Sequence, residues 1–334
     1  MFFCGQGLTA TRDHVDPSFL HLLALSPLGY VTVGVWGALW GSFFNVVIVR
    51  LPEGESLVRP ASHCRSCGAP VRWYDNIPLL SYLILRGRCR RCGARYSARY
   101  LLVELLVCVL ALLMHHLFVV RAPAGAPIAP QLAQLAITSL FCGTLVAITF
   151  IDLDHLIIPD AITYPGIPLA VLLSLFMGLP HLWDGAVGAA AGYLFIRLIA
   201  DGYRLIKKRM GMGYGDAKLL AMIGGLLGWQ VLLPTLLLGC LQGAVVGIPA
   251  LLIARRSHPT QHDDGASEGT EAGLSKAQVE PPASEGEIEE QTPPLRYTPI
   301  PFGPFLALAA VEVLALRSYL PPWSLFVFPG AYLY

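Results

Sequence analysis

Charge is what this sequence has least of. Only 13% of its 334 residues are Asp, Glu, Lys or Arg, against roughly 25% in a soluble domain. The shortage excludes a disordered chain and argues against a soluble globular enzyme. A formal net charge of +1 also leaves no broad basic surface for nucleic acid, so no nucleic-acid partner is expected. Several catalytic signatures are missing as well: no G-x-S-x-G elbow, no H-E-x-x-H and no Walker loop occurs. Residues 1–27 lack the basic start, apolar run and small-residue cleavage site of a signal peptide, and they read as an N-terminal periplasmic segment. In place of charge the chain carries 55% hydrophobic residues and a mean hydropathy of +0.59.

Those residues gather into long stretches. A bilayer core takes ~20 apolar residues of helix, and backbone groups in lipid must be satisfied internally, which favours helices. Spans are expected near 28–49, 100–120, 131–151, 161–180, 182–200, 217–229, 231–254 and 302–317, the sixth and eighth being short. The expected fold is therefore an all-α polytopic membrane protein of about eight transmembrane helices. Its divisions are the N-terminal segment 1–27, a first span 28–49, a loop domain 50–99, a membrane core 100–254, an acidic insertion 255–299, and a last span with an aromatic tail, 300–334. Lys and Arg support this count. Placing loop 50–99, with its ten Arg, in the cytoplasm puts twenty of the twenty-three basic residues inside and leaves only Arg12, Arg121 and Arg317 outside, as the positive-inside rule requires.

Eight cysteines are present. Cys4, Cys108, Cys142 and Cys240 stand alone and read as small hydrophobes. Cys64-Arg65-Ser66-Cys67 and Cys89-Arg90-Arg91-Cys92 are two CxxC pairs separated by 21 residues, the spacing of a zinc ribbon. Two disulfides are the alternative. A reducing cytoplasm disfavours them, so a structural Zn2+ held by Cys64, Cys67, Cys89 and Cys92 is expected, with no position open to a substrate. The neighbouring Arg residues are expected to favour the thiolates.

With acids so scarce, their placement is informative. Asp152, Asp154 and Asp160 fall between the third and fourth spans, and Asp216 opens the sixth behind Gly211, Gly213 and Gly215. All lie at the predicted cytoplasmic edge, where ionisable residues are costly and point to function. Two carboxylates at close range share one proton. The ionised one can deprotonate water while the protonated one bonds the scissile carbonyl, which is hydrolysis without a covalent intermediate. Asp160, after Pro159, suits a helix N-cap, and Asp154 suits water. Asp152 and Asp216 remain as the candidate pair, although Asp216 also suits an N-cap. Helix dipoles alone favour the proton on Asp152, at a C-terminus, and charge on Asp216, at an N-terminus. Gly213 and Gly215 would let the backbone approach a substrate. His155 beside two acids is too few ligands for a metal site. Glu104 and Glu312 lie within spans; Glu104, near the cytoplasmic end, could pair with a nearby Arg, and Glu312 is expected to pair inside the bundle. A proton-coupled transporter is the rival reading, though no internal repeat is visible. A zinc-stabilised scaffold without chemistry is a third.

Four segments carry a family resemblance: Gly41-Ser-Phe-Phe-Asn45-Val-Val-Ile-Val-Arg50-Leu-Pro52, the double CxxC loop with Asp75 to Tyr82, Asp152 to Asp160, and Gly213-Tyr-Gly-Asp216-Ala-Lys218-Leu. Ile300-Pro-Phe-Gly-Pro-Phe305 also fits. With these the chain resembles the bacterial type IV prepilin leader peptidases, polytopic aspartic peptidases of the inner membrane. The resemblance implies catalytic roles for Asp152 and Asp216. It also implies prepilin and pseudopilin substrates, cut after a Gly at the cytoplasmic face, and S-adenosylmethionine-dependent methylation of the new N-terminus. The four cysteines go with the bifunctional members. Stretch 257–298, rich in Glu, Ser, Pro and Gly, reads as a disordered insertion.

Overall fold

A computed structural model describes residues 22–123, 126–177, 182–207, 213–257 and 301–317. Most of the N-terminal segment, nearly all of the acidic insertion and the aromatic tail lie outside the described residues.

The described chain is helical, with no strand beyond two isolated bridges, His63 with Pro70 and Arg88 with Arg95. Its helices are α1 (Pro27–Arg50), α2 (Leu80–Ile84), α3 (Arg99–His115, ending in a wider turn His116–Val120), α4 (Ile128–His155), α5 (Asp160–Leu173), α6 (Leu182–Lys207), α7 (Tyr214–Leu227), α8 (Leu232–Ser257) and α9 (Gly303–Arg317). Apart from the short α2, they fall where the eight apolar stretches place them. Six segments are long and apolar enough to cross a membrane: Pro27–Arg50, Arg99–Val120, Ile128–His155, Asp160–Met177, Leu182–Lys207 and Trp229–Gly247. The expected sixth and eighth spans are α7 and α9, of 14 and 15 residues. At 1.5 Å per residue they reach ~21–23 Å, short of the ~30 Å hydrocarbon core. Eleven residues of α7 are buried, so its surroundings are mostly protein, and a helix enclosed by protein need not match the bilayer thickness.

Small residues make the closest helix contacts. Lipid removes the hydrophobic drive between helices, so backbone approach and van der Waals packing matter more. On α1, Gly37 and Gly41 repeat at four-residue spacing. A Cβ on Gly37 would lie 2.8 Å from Cys108 Cα, and one on Gly41 would lie 2.7 Å from Glu104 Cα, so α1 and α3 touch along that stripe. α6 packs on α7 in the same way. Cβ atoms on Gly185, Gly188 and Gly192 would meet the carbonyls of Gly225, Gly224 and Leu220 at 2.7, 2.2 and 2.8 Å.

Between α1 and α3 the chain makes a compact loop domain. Buried Arg50 turns it out of α1 by donating to the carbonyls of Ser56 and Pro60 at 3.0 and 2.8 Å. Asn45 Nδ2 donates to Tyr100 O at 2.9 Å, joining α1 to the start of α3. The described residues up to 241, together with 301–317, form one compact unit, and those from 242 on cluster separately. Within that second unit the described part is the C-terminal half of α8.

The glycine stripe makes a paired prediction. Gly188→Val forces a branched side chain against the Gly224 carbonyl and should cost about 1–3 kcal/mol. Gly202, on the same helix, has nothing within 4 Å of its Cβ position, and Gly202→Ala should stabilise by about 0.5–1 kcal/mol. Thermal melting in detergent reads both signs.

Candidate active site

Three helix ends build this site. α4 stops at His155, and the next residue, Leu156, takes the left-handed conformation (φ 56°) and donates its N–H to Asp152 O at 2.9 Å. Residues 157–159 run extended, and Pro159, with φ fixed, caps α5. α7 begins after Gly213, whose carbonyl accepts the Asp216 N–H at 3.2 Å. Gly213 is therefore the N-cap, and Asp216 sits inside the first turn, not at the cap position the sequence also allowed. The third end is that of α9. Gly303 N–H donates to Asp152 Oδ2 at 3.1 Å, and a Cβ on Gly303 would lie 2.6 Å from that oxygen.

Ile158 ties these ends together. Cβ atoms on Gly215 and Gly303 would meet its side chain at 2.9 and 3.2 Å. Asp152 and Asp216 thus come from either side of one isoleucine, close enough for the charge on one to act on the other. They are 5% and 7% exposed. Among the described residues no basic side chain pairs with either. The neighbouring acids differ. Asp154 pairs with Arg99, which also donates to Phe150 O at 3.0 Å. Asp160 pairs with Lys218, whose ammonium lies 4.5 Å from the centre of the Tyr164 ring. His155 is exposed. What needs a bare backbone at Gly215 is Ile158, while a Cβ on Gly213 would meet Asp216 Oδ2 at an ordinary 3.5 Å.

Two supports were not foreseen. Gly303 belongs to a stretch singled out only by resemblance, and nothing in its local sequence pairs it with Asp152. The GxGD turn is braced by α6: Tyr214 OH donates to Asp201 Oδ1 at 3.0 Å, and Arg197 Nε donates to Asp201 Oδ2 at 2.8 Å. The Arg197 guanidinium also lies 4.2 Å from the centre of the Tyr214 ring. The Arg197–Asp201 half is legible as an i,i+4 pair; the tyrosine's part is not.

In the loop domain the two CxxC turns repeat one geometry. Cys64 and Cys89 each donate N–H to the carbonyl five residues on, at 2.8 Å. Gly68 and Gly93 close the turns with φ of 67° and 72°, a conformation glycine adopts without cost. The four thiols are free, and their sulfurs lie within 4.8 Å of one another. Cys64 and Cys92 Sγ stand 3.8 Å apart, matching the edge of a thiolate tetrahedron with metal–sulfur bonds of about 2.3 Å. Two of the thiols, Cys64 and Cys89, have their thiolates supported by the backbone. N–H groups of Cys92 and Arg91 bring the Cys89 thiol down to about 6, and those of Cys67 and Ser66 lower Cys64. Arg90, expected to help the thiolates, instead donates hydrogen bonds to Asp75, with its Nε and Nη2 at 3.0 and 2.7 Å from Oδ1, which holds the Asp75 carboxyl below its ordinary range.

A cavity of about 1220 Å³ lies in this unit, with walls that include Tyr82, Tyr96 and Arg95 from the loop and Ser42, Asn45 and Glu104 from α1 and α3. Acids, bases and rings together suit a ligand that carries both charges and an aromatic base.

These features define a class: a polytopic, all-helical membrane protein with two buried carboxylates that no described basic side chain pairs, and a separate four-cysteine loop. The chain matches the bacterial peptidase A24 N-terminal domain over residues 35–118 and the type IV leader peptidase family over residues 139–248. Among curated relatives, a prepilin leader peptidase/N-methyltransferase of Myxococcus xanthus (strain DK1622) is 39% identical over 331 residues, covering 91% of this chain and 94% of that protein. One from Aeromonas hydrophila is 36% identical over 322 residues (89% and 94%), and one from Klebsiella pneumoniae is 42% identical over 208 residues (60% and 86%). The chain belongs to the type IV leader peptidase family. No solved structure matches it.

The cysteine geometry is open to a direct check. With a metal bound, the four thiols should resist iodoacetamide until a strong chelator is added. Mass spectrometry should then show adducts at Cys64, Cys67, Cys89 and Cys92. Full alkylation before chelation would leave the cluster without a metal.

Proposed function

We propose that this protein is an aspartic endopeptidase that removes the leader from type IV prepilins and pseudopilins, and that it then methylates the new N-terminus. The observation that carries the peptidase reading is the meeting of Asp152 and Asp216, buried and without a cation, at the ends of α4 and α7. Two carboxylates so placed cannot both ionise readily, so one proton is shared between them. The ionised member takes a proton from water, and the protonated member bonds the scissile carbonyl oxygen. Collapse of the tetrahedral intermediate then returns a proton to the leaving amine. The sequence expectation that Asp152 keeps the proton counted only two helix dipoles. The N-terminus of α9 at Asp152 adds a third, of opposite sense, and cancels that argument.

The Arg99–Asp154 pair supports the sidedness. It joins the Arg-rich loop to the end of α4 that bears Asp152, so the side favoured for the basic residues is also the catalytic side. By the positive-inside rule that side is the cytoplasm, which fits an inner-membrane enzyme acting on the basic leader of a membrane-anchored substrate. Zinc is the metal that suits four thiolates in a reducing compartment. With all positions filled by cysteine it serves structure rather than catalysis. For the second activity S-adenosylmethionine supplies the methyl group, and the loop-domain cavity has walls of the right chemistry to hold it. Nothing in the comparisons or the geometry favours the transporter reading.

Two outcomes test the proposal. Detergent-solubilised protein should cleave a prepilin, and Asp152→Asn or Asp216→Asn should each lower the rate by about a thousandfold or more, with melting curves confirming that both variants fold. Cleavage retained by either variant removes that residue from catalysis. Metal analysis of purified protein should find zinc, and Cys64→Ser or Cys89→Ser should lose it.

A further inference from the structure

Methyl transfer to a peptide amine requires a donor pocket, a route for the amine and something to meet the positive charge as it moves. The donor carries a sulfonium, an ammonium, a carboxylate and an adenine. The cavity of about 1220 Å³ exceeds the ~300–1,000 Å³ typical of small-molecule sites, leaving room for a chain end beside a donor.

Its acids are not equivalent. Asp75 is paired with Arg90, Glu53 lies 3.9 Å from Arg65, and Glu55 is exposed. Glu104 is different. Its carboxyl accepts the Leu79 N–H at 2.8 Å, and Ser42 and Asn45 line the same cavity. That donor is neutral, and among the described residues no Lys or Arg pairs with Glu104. One of its oxygens is held in place and no cation meets the group, as expected of an acid kept for a cationic ligand. Leu79 holds φ 62° and ψ −52° to present that N–H, an uncommon conformation for a residue with a side chain.

The route is also visible. Leu39 and Phe43, 55% and 43% exposed on the flank of α1, line the same cavity, so it reaches the surface that faces lipid. A hydrophobic helix lying in the membrane can bring its N-terminus there. Glu104 follows Arg99 by five residues on α3, and Arg99 bonds Asp154 and Phe150 on α4. The cavity and the aspartate pair therefore open at the same end of the bundle.

We propose that this cavity binds S-adenosylmethionine, with Glu104 at the junction between the donor's sulfonium and the substrate's new N-terminal amine. This rests on the N-methylation proposed above. The amine lone pair forms the N–CH3 bond as the CH3–S bond breaks. Its electrons return to sulfur to give neutral S-adenosylhomocysteine, and the positive charge passes to the methylated nitrogen. One carboxylate at the junction meets that charge before and after transfer.

Binding and labelling test this on the full-length, metal-loaded protein. By calorimetry, Glu104→Gln should weaken S-adenosylmethionine by about tenfold or more yet change S-adenosylhomocysteine, which lacks the sulfonium charge, by less than about threefold. The glutamine oxygen can still accept the Leu79 N–H. Equal losses for both ligands, or none, overturn the role of Glu104. Photolabelling wild type with 8-azido-S-adenosylmethionine should place adducts within 39–55 or 62–104, the segments that line the cavity. Adducts confined to other segments overturn the site, and this arm does not depend on the variant folding. Wild-type cleavage of a prepilin, run beside these, separates the two levels. Cleavage with labels elsewhere sinks only this inference, whereas no cleavage sinks the functional reading itself.

Discussion

The constraint from which the rest follows is the cost of keeping two carboxylates out of water with no cation beside them. A lone buried charge is expensive, and an arginine would relieve it at the cost of making a permanent ion pair. On the proposed reading relief comes from proximity, since two acids that share a proton would carry one charge between them. Proximity requires that α4 end and α7 begin at the same depth, and that nothing bulky separate them. The positions next to the pair are accordingly tight. Gly215 presses on Ile158, and Gly303 presses on both Ile158 and the Asp152 carboxylate. Two missing side chains set the spacing of two present ones.

The surrounding charges serve the same end. Arg99 and Lys218 take up Asp154 and Asp160, so the two acids nearest in sequence to Asp152 are held in ion pairs of their own. They also fix the frame, because Arg99 comes from α3 and Lys218 from α7, and each reaches a segment flanking the 156–159 turn. Surface ion pairs add little to stability, typically 0–1 kcal/mol. Their value here is placement. Tyr214, held by Asp201 and Arg197, braces the other side of Asp216. The segment that carries Asp216 is thus held from both neighbouring helices.

Much of this was legible because each feature has a local signature. Apolar stretches located the membrane helices to within a few residues, since nothing but burial in lipid or protein accounts for so little charge over such lengths. The CxxC pairs announced a metal geometry because two short turns suffice to aim four thiolates. The acids stood out by rarity. What escaped depends on contacts between distant segments. Gly303 lies 151 residues from Asp152, and its N–H points there only because α9 lies against α4 and α7. The same blindness affected the proton argument, which counted helix ends along the chain and missed one supplied through space. It also affected span counting. The lengths of α7 and α9 are visible in the sequence, but their enclosure by protein is not.

The loop domain raises the question of why a membrane peptidase carries four cysteines far from its carboxylates. The segment between α1 and α3 has few buried apolar side chains; Cys64, Ala69 and Cys89 are the buried hydrophobic positions of the domain. So small a core cannot offset the entropy of ordering some fifty residues, at ~1–2 kcal/mol each for backbone alone. Metal binding can, because ligation free energy is folding free energy when the site forms only in the folded chain. The cysteine turns also supply cavity wall: Cys64 and Cys89 line it, with Arg65 and Arg90 from the same turns and Asp75 held against the second. On the proposed reading a metal held by the four cysteines makes wall and pocket one unit and sets the shape in which the cavity receives a ligand. The aspartate pair, packed within helices that touch along glycine contacts, has no such need. The same reading separates the two sites: loss of the cysteines is expected to cost the cavity its shape before it disturbs the aspartate pair.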